Sequence, residues 1–237
     1  YYSITFTMKV SVIIPCAGSG NRFGELKQFK ILNGEPLLFF ALKSFLNLTE
    51  VLEIIIAVPK NKVNFVKNYI KRETYSKKKI KIVEGGTDRH KSILNCIKIL
   101  DEKTKLICIH DAARPFITKK LIQKCLEKCK KYDGAILAIK SSDTVKYSND
   151  KLIKKTINRE KIWLAQTPQV FHKNKLIKAI KRSSEANEKV TDESILMEKM
   201  GYSIRLVDGH MNNLKITFNN DWKFAEFLVK GFIKDDI

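Results

Sequence analysis

The stretch "KVSVIIPCAGSGNRFGELKQF", Lys9–Phe29, decides how the rest of the chain is read. Its first half, up to Pro15, is a short apolar run of strand length, rich in β-branched residues, as expected of a buried strand. Three glycines follow at Gly18, Gly20 and Gly24, then Arg22, Lys27 and Gln28. Glycines permit positive φ and close backbone approach, and successive N–H groups in such a turn form a nest for anions. The spacing is not the dinucleotide fingerprint, because Phe23 stands where the third glycine belongs. It is not the NTPase loop either, because Lys27 is followed by Gln28 and not by Ser or Thr. A glycine-rich turn without a ligand has the same outline. The two cations, Arg22 and Lys27, weigh the reading towards bound phosphate.

Similar apolar runs recur, separated by helical periodicity. "EIIIAVP", "KIKIVEGG", "KLICIHD" and "GAILAIK" read as buried strands. Pro36 opens the helix "PLLFFALKSFLN", a second helix spans about residues 61–71, and "DRHKSILNCIKIL" and "KKLIQKCLEKCKKY" follow. This alternation predicts an α/β fold with a mostly parallel sheet and helices on both faces. Ligands of such sheets bind beyond the carboxyl ends of the strands, where the polar motifs fall. The pattern changes over about residues 143–171, read as strands with a polar turn near Ser148 to Lys151, an arm protruding from the body. Helices resume near Lys173 and Asp192, "YSIRLVDG" and "NLKIT" read as strands, and "DWKFAEFLVKGFI" closes the chain, with Asn219 or Asn220 as its N-cap.

The formal net charge of +20 raises the question of a nucleic-acid partner. Only seven of the 45 basic residues are Arg, and the lysines are spread over nearly every segment. That is a solvated lysine-rich surface, so no nucleic acid is expected as partner. No apolar run approaches the ~20 residues of a membrane span, and no membrane association is expected. Where Lys is the default, an Arg marks a place that needs a planar fork, and Arg22, Arg89, Arg114 and Arg159 lie in motifs. The five cysteines form no C-x-x-C pair and sit mostly in apolar segments, as expected of buried thiols in a reducing compartment. His90, His110, His172 and His210 show no metal-ligand spacing. Residues 1–7, ahead of Met8, lack a basic n-region and a small-residue cleavage site; they are read as an N-terminal extension.

Two further motifs carry polar chemistry. In "GGTDRHKS", Gly85 and Gly86 allow a ligand to pack on bare backbone, while Asp88 and Ser92 offer polar contacts. A plain turn with Asp88 at a helix start explains the same residues equally well. "HDAARPF" ends the fourth strand. Asp111, facing a phosphate loop, suits a Mg²⁺ ligand. Ala112 and Ala113 leave room, and Arg114 supplies a phosphate fork. His110 is read as a structural hydrogen-bonder, since no paired base accompanies it.

Seven blocks taken together, "PCAGSGNRFG…KQF", "GGTDRHKS", "HDAARPF", "DTVK", "REKIWLAQTPQVF", "VTDES" and "NNLKIT", resemble the 2-C-methyl-D-erythritol 4-phosphate cytidylyltransferases. The blocks stand in that family's order from Val10 to about Asp221. The ribitol-5-phosphate cytidylyltransferases share the loop and the "TPQ" features, but "HDAARP" and "REKIW" are more similar to the methylerythritol family. The resemblance implies a Rossmann-like body over residues 8–237 as one nucleotidyltransferase domain, and a homodimer whose β-arms clasp. It also implies transfer of CMP from CTP to methylerythritol phosphate with Mg²⁺, and a cytoplasmic enzyme, or one of the plastid stroma in a eukaryote.

Residue roles follow from the same resemblance. Arg22 and Lys27 match transition-state stabilisers, and Arg159 and Lys215 match residues that position substrate. Thr144, Arg159, Thr167 and Thr191 match contacts to methylerythritol phosphate, Thr144 and Arg159 reaching it from the other protomer's arm. Asp111 matches the metal-side carboxylate. The nucleotide is expected on Pro15, Cys16, Ala17, Gly18, Ser19 and Gly20 of the loop, and on Gly85 and Ala112. Gly86, Asp88 and Ser92 match cytosine contacts. Cys16 and Ser19 depart from the usual residues, and the segment between Arg22 and Lys27 is short. The implied reaction needs no general base, because the attacking phosphate is already ionised. Its barrier is the approach of two anions, which cations and positioning lower.

Overall fold

In a computed structural model, which describes residues 8–18, 23–73, 78–185 and 190–235, the opening apolar run forms strand β1 (Val10–Pro15). β1 lies between two parallel neighbours, β4 (Val51–Val58) and β6 (Leu106–Ile109). Side chains alternate across the sheet. Val12 and Ile14 pack on one face, with Leu38, Phe39 and Phe45 of α1 (Leu37–Leu46) and Ile122 and Cys125 of α4 (Lys119–Lys128). Ile13 packs on the other, with Ile93 and Cys96 of α3 (Arg89–Ile97), Leu176 of α5 (Lys173–Glu185) and Met197 of α6 (Glu193–Lys199). Burial on both faces accounts for the near-continuous Val/Ile runs.

Four further strands complete a seven-stranded sheet among the described residues. A small hairpin, β2 (Ile31–Leu32) and β3 (Glu35–Pro36), turns through Asn33 and Gly34, both with positive φ as a tight hairpin requires. α2 (Val63–Arg72) leads to β5 (Lys79–Glu84). β7 (Gly134–Lys140), β10 (Trp163–His172) and β11 (Ile204–Asp208) follow, and α7 (Asn219–Asp235) comes last. The order is β11-β7-β10-β6-β1-β4-β5. Every neighbouring pair is parallel except those made by β10, which runs antiparallel to β6 and β7. The edges, β5 and β11, carry Lys79, Lys81 and Arg205, charges that discourage further strand pairing.

The arm is shorter than expected. β8 (Val145–Asn149) and β9 (Leu152–Ile157) pair only with each other, through a turn in which Asp150 and Lys151 have positive φ. Within the expected span of 143–171, Trp163 to His172 belongs instead to the body as β10. Val170 and Phe171 are fully buried there, and that apolar half of the segment needs the core. "NLKIT" is no strand: its backbone is irregular, with Ile216 N–H donating to Ala113 O at 2.9 Å. α7 begins at Asn219, and Asp221 accepts hydrogen bonds from Thr217 N–H and Phe218 N–H. Residues 1–7 lie outside the described residues. Among those described, no helix is long and apolar enough to cross a membrane.

Candidate active site at the carboxyl end of the sheet

The opening loop is fastened at both ends. Cys16 N–H donates to Ala57 O at 2.7 Å, continuing the β1–β4 ladder past Pro15. Gln28 is buried, and its amide Nε2 donates to Cys16 O and Gly18 O, each at 3.0 Å. Phe23, in place of a third glycine, is buried against Trp222 of α7, ring centroids 5.9 Å apart. The aromatic residue therefore anchors the far end of the loop. Lys27 sits half-buried on the turn Lys27–Phe29, its Nζ 5.6 Å from the Phe23 ring. Ser19, Gly20 and Arg22 lie outside the described residues.

Gly85 and Gly86 stand beside this loop. A Cβ on Gly85 would come within 2.1 Å of Ala17 Cβ, so only glycine lets the two turns touch. Ser92 Oγ accepts from Gly86 N–H at 3.0 Å and donates to Asp88 O at 2.8 Å. Asp88 caps α3, accepting from Lys91 N–H at 2.8 Å, and this bond holds its carboxyl below the usual range. Of the two side chains expected as cytosine contacts, Ser92 is buried in the turn and Asp88 is exposed at its edge, and both help to shape it.

Asp111 is the hub, although it is almost fully buried. Arg89 Nε donates to its Oδ1 at 2.9 Å and Lys215 Nζ to its Oδ2 at 2.6 Å. Burial pushes its pKa up, but the two cations outweigh that and hold it well below the carboxylate range. The Asp111 N–H donates to Thr167 Oγ1 at 3.0 Å. Thr167 Oγ1 also meets His110 Nδ1 at 3.1 Å, and His110 Nε2 meets Arg114 O at 3.0 Å. A carbonyl only accepts, so the imidazole proton is on Nε2 and Nδ1 accepts from the threonine hydroxyl. Burial lowers the His110 pKa to about 4, leaving the ring neutral near pH 7 and structural, as its sequence context suggests. Ala112 is buried next to Asp111.

Two expected ligand contacts point inward instead. The Thr167 hydroxyl hydrogen is committed to His110, so this side chain orients Asp111 and has no proton left to donate to a phosphate. Arg114 is buried, donating from Nη1 to Asn213 O at 2.7 Å and from Nη2 to Ala165 O at 3.3 Å. It is not the exposed phosphate fork its position suggests. It clamps the segment that carries Lys215 to β10. Asn213 reinforces that clamp through Gln166 Oε1 and Thr167 O. Thr191 is exposed just before Asp192, which caps α6. Thr144 and Arg159 are exposed at the root of the arm, where Arg159 Nη1 donates to Ser142 O at 2.7 Å.

Sequence reasoning did not assign sites to Gln28, Arg89, Glu193 or Asn213. The rarity of Arg pointed to Arg89, and Glu193 falls inside the "VTDES" block, but nothing local joins the two, which stand 104 positions apart.

A glycine-bearing loop, a neighbouring glycine pair and a carboxylate flanked by cations lie together beyond the carboxyl ends of the parallel strands, an arrangement that suits a nucleotidyltransferase. The family model described as 2-C-methyl-D-erythritol 4-phosphate cytidylyltransferase matches residues 10–231, and the chain belongs to that family. It is 34% identical over 232 residues to the enzyme of that name from Carboxydothermus hydrogenoformans, covering 97% of this chain and 99% of the relative. It is 37% identical over 225 residues to that of Prochlorococcus marinus, covering 93% and 99%. The crystal structure of 4-diphosphocytidyl-2C-methyl-D-erythritol synthase from Anaerococcus prevotii superposes with a TM-score of 0.84 at 30% identity, covering 94% of this chain and 99% of that one.

Proposed function

We propose that the protein transfers CMP from CTP to 2-C-methyl-D-erythritol 4-phosphate, releasing pyrophosphate and forming 4-diphosphocytidyl-2-C-methyl-D-erythritol for isoprenoid precursors. The observation that carries this reading is the meeting of Asp111, Arg89 and Lys215 beside the glycine turns at the carboxyl end of the sheet. Nucleotide backbone would lie on Pro15 to Gly18 and against Gly85, Gly86 and Ala112. Lys27 and Lys215, with Arg22, would face the phosphate charge that grows as one anion attacks another. Lys215 is the more exposed member of its ion pair with Asp111.

Mg²⁺ fits this site as an ion carried by the nucleotide. The described residues hold no cluster of three His, Cys, Asp or Glu side chains for a metal. Mg²⁺ is commonly held by one or two carboxylates plus phosphates and water. Asp111 would be the one carboxylate, since each of its oxygens has a second lone pair beyond the cation it already meets. Bound there, the ion supplies charge neutralisation on the triphosphate.

The exposed arm supports a homodimer in which Thr144 and Arg159 complete the second protomer's sugar-phosphate site. The buried, unpaired thiols support a reducing, cytoplasmic setting. Pyrophosphate release, assayed with CTP and either methylerythritol phosphate or ribitol 5-phosphate, tests the reading. Turnover with the first is expected; turnover with ribitol 5-phosphate alone overturns the choice of acceptor, and turnover with neither overturns the reaction.

A further inference from the structure

The Arg89 guanidinium spans two carboxylates on different elements. Its Nε donates to Asp111 Oδ1 at 2.9 Å, and its Nη1 donates to Glu193 Oε2 at 2.6 Å. Glu193 is the first residue of α6 and is wholly buried. Its second oxygen, Oε1, accepts no hydrogen bond; His90 Nδ1 stands 3.7 Å away, also buried and without a hydrogen bond. A buried carboxylate with one oxygen idle is a poor device for stability, because desolvation offsets the attraction. Its geometric effect is clear. An Arg–carboxylate pair left alone prefers two parallel bonds. Here Glu193 anchors the guanidinium at Nη1, and Asp111 receives a single bond from Nε.

We propose that Glu193 is a positioning residue: it holds Arg89 in a one-bond contact with Asp111, which leaves that carboxylate turned towards Lys215 and the nucleotide. The inference rests on the nucleotidyltransferase reading of the site. Without the Glu193 charge, Arg89 loses its second anchor and turns about its bond to Asp111, pulling the carboxylate from its Lys215-facing orientation. The arrangement also ties the first turn of α6, beside Thr191, to the first residue of α3, beside Gly86. The cap of α6 is itself braced, since Gln169 Nε2 donates to Asp192 Oδ2 at 2.7 Å. Movement at either end would therefore reach Asp111.

Glu193→Gln keeps the shape and removes the charge. The expected result is a ~10–100-fold loss in kcat/KM for CTP, the usual scale for an outer residue that orients a site. The dissociation constant of CTP, measured by calorimetry without the second substrate, rises in parallel, while Tm stays within a few degrees. Glu193→Asp recovers part of the loss, and Arg89→Lys added to Glu193→Gln costs less than the two single losses combined. Both parameters within twofold of wild type in folded Glu193→Gln overturn the proposal. So does a loss matched only by a lower Tm, which marks a structural strut. Should Glu193→Gln not fold, the same criteria are read on Glu193→Asp. Wild-type protein that binds CTP but turns over neither acceptor overturns the assigned reaction, while the calorimetric comparison still decides the role of Glu193.

Discussion

The carboxyl end of the sheet and the β8–β9 arm each carry residues of the same expected site, yet they are built in opposite ways. In the body, Asp111, Thr167, His110, Arg114 and Asn213 are buried and hydrogen-bonded to one another or to backbone. Such a site keeps its geometry before a ligand arrives. In the arm, Tyr147, Leu152 and Ile153 are 57%, 66% and 65% exposed, and the two strands pair only with each other. A two-stranded hairpin is marginal by itself in water. The comparison teaches that the body half of the proposed site is ordered from within, whereas its proposed arm half has no sheet partner beyond its own hairpin among the described residues.

The largest expected effect breaks the body half. Lys27→Ala and Lys215→Ala, and Arg22→Ala on the sequence reading, should each lower kcat by ~10²–10³, the scale of a lost transition-state donor. Pyrophosphate release at saturating substrates measures this, and a near-wild-type rate in any of them removes that cation from the chemistry.

Gly85→Ala probes how tightly the body is prearranged. Its Cβ would overlap Ala17, and overpacking of that kind costs about 1–3 kcal/mol. Urea unfolding should show the loss, and Ala17→Gly in the same chain should restore most of it. Equal stability of Gly85→Ala would mean the two turns separate freely.

Leu152→Lys with Ile153→Lys sharpens the other side of the comparison. Sedimentation should show a dimer for the wild type, as proposed, and its weakening in this variant by roughly tenfold or more, about 1.4 kcal/mol, with the body's Tm nearly unchanged. An unchanged dimer would place the contact elsewhere.

The smallest effect is on thiol chemistry. All five cysteines are buried, and burial pushes Cys96 and Cys129 up to about 12. Native protein at pH 8 should leave an aromatic disulfide reagent almost unreacted, with all five thiols reacting once it is unfolded. Rapid labelling of Cys16 in the native state would show that the phosphate-loop base opens.

The sequence made the sheet legible because β1, β4 and β6 are buried on both faces and leave unbroken apolar runs. The arm boundary was not legible, since Trp163 to His172 is continuous with the arm in sequence and separates from it only by packing on β6 and β7. The irregular course of Leu214 to Thr217 was hidden for a similar reason: its order comes from Ala113 and Arg114, a hundred positions away. The sequence gives the motif residues as types but not their directions. Arg114 and Thr167 occupy the expected positions, yet point into the fold, and only the partners of Asn213 and His110 reveal this. Glu193 lies in the "VTDES" block, yet its pairing with Arg89 joins α6 to α3 across 104 positions and could not be read from that block.

The separateness of the arm has a genetic consequence. If arms are shared between protomers as proposed, each working site would draw Lys215 from one polypeptide and Arg159 from the other. A chain lacking Lys215 and a chain lacking Arg159, each inactive alone, would form a mixed pair with one site in which both lesions fall together and another in which neither does. Two null alleles of this single gene would then complement one another in the same cell.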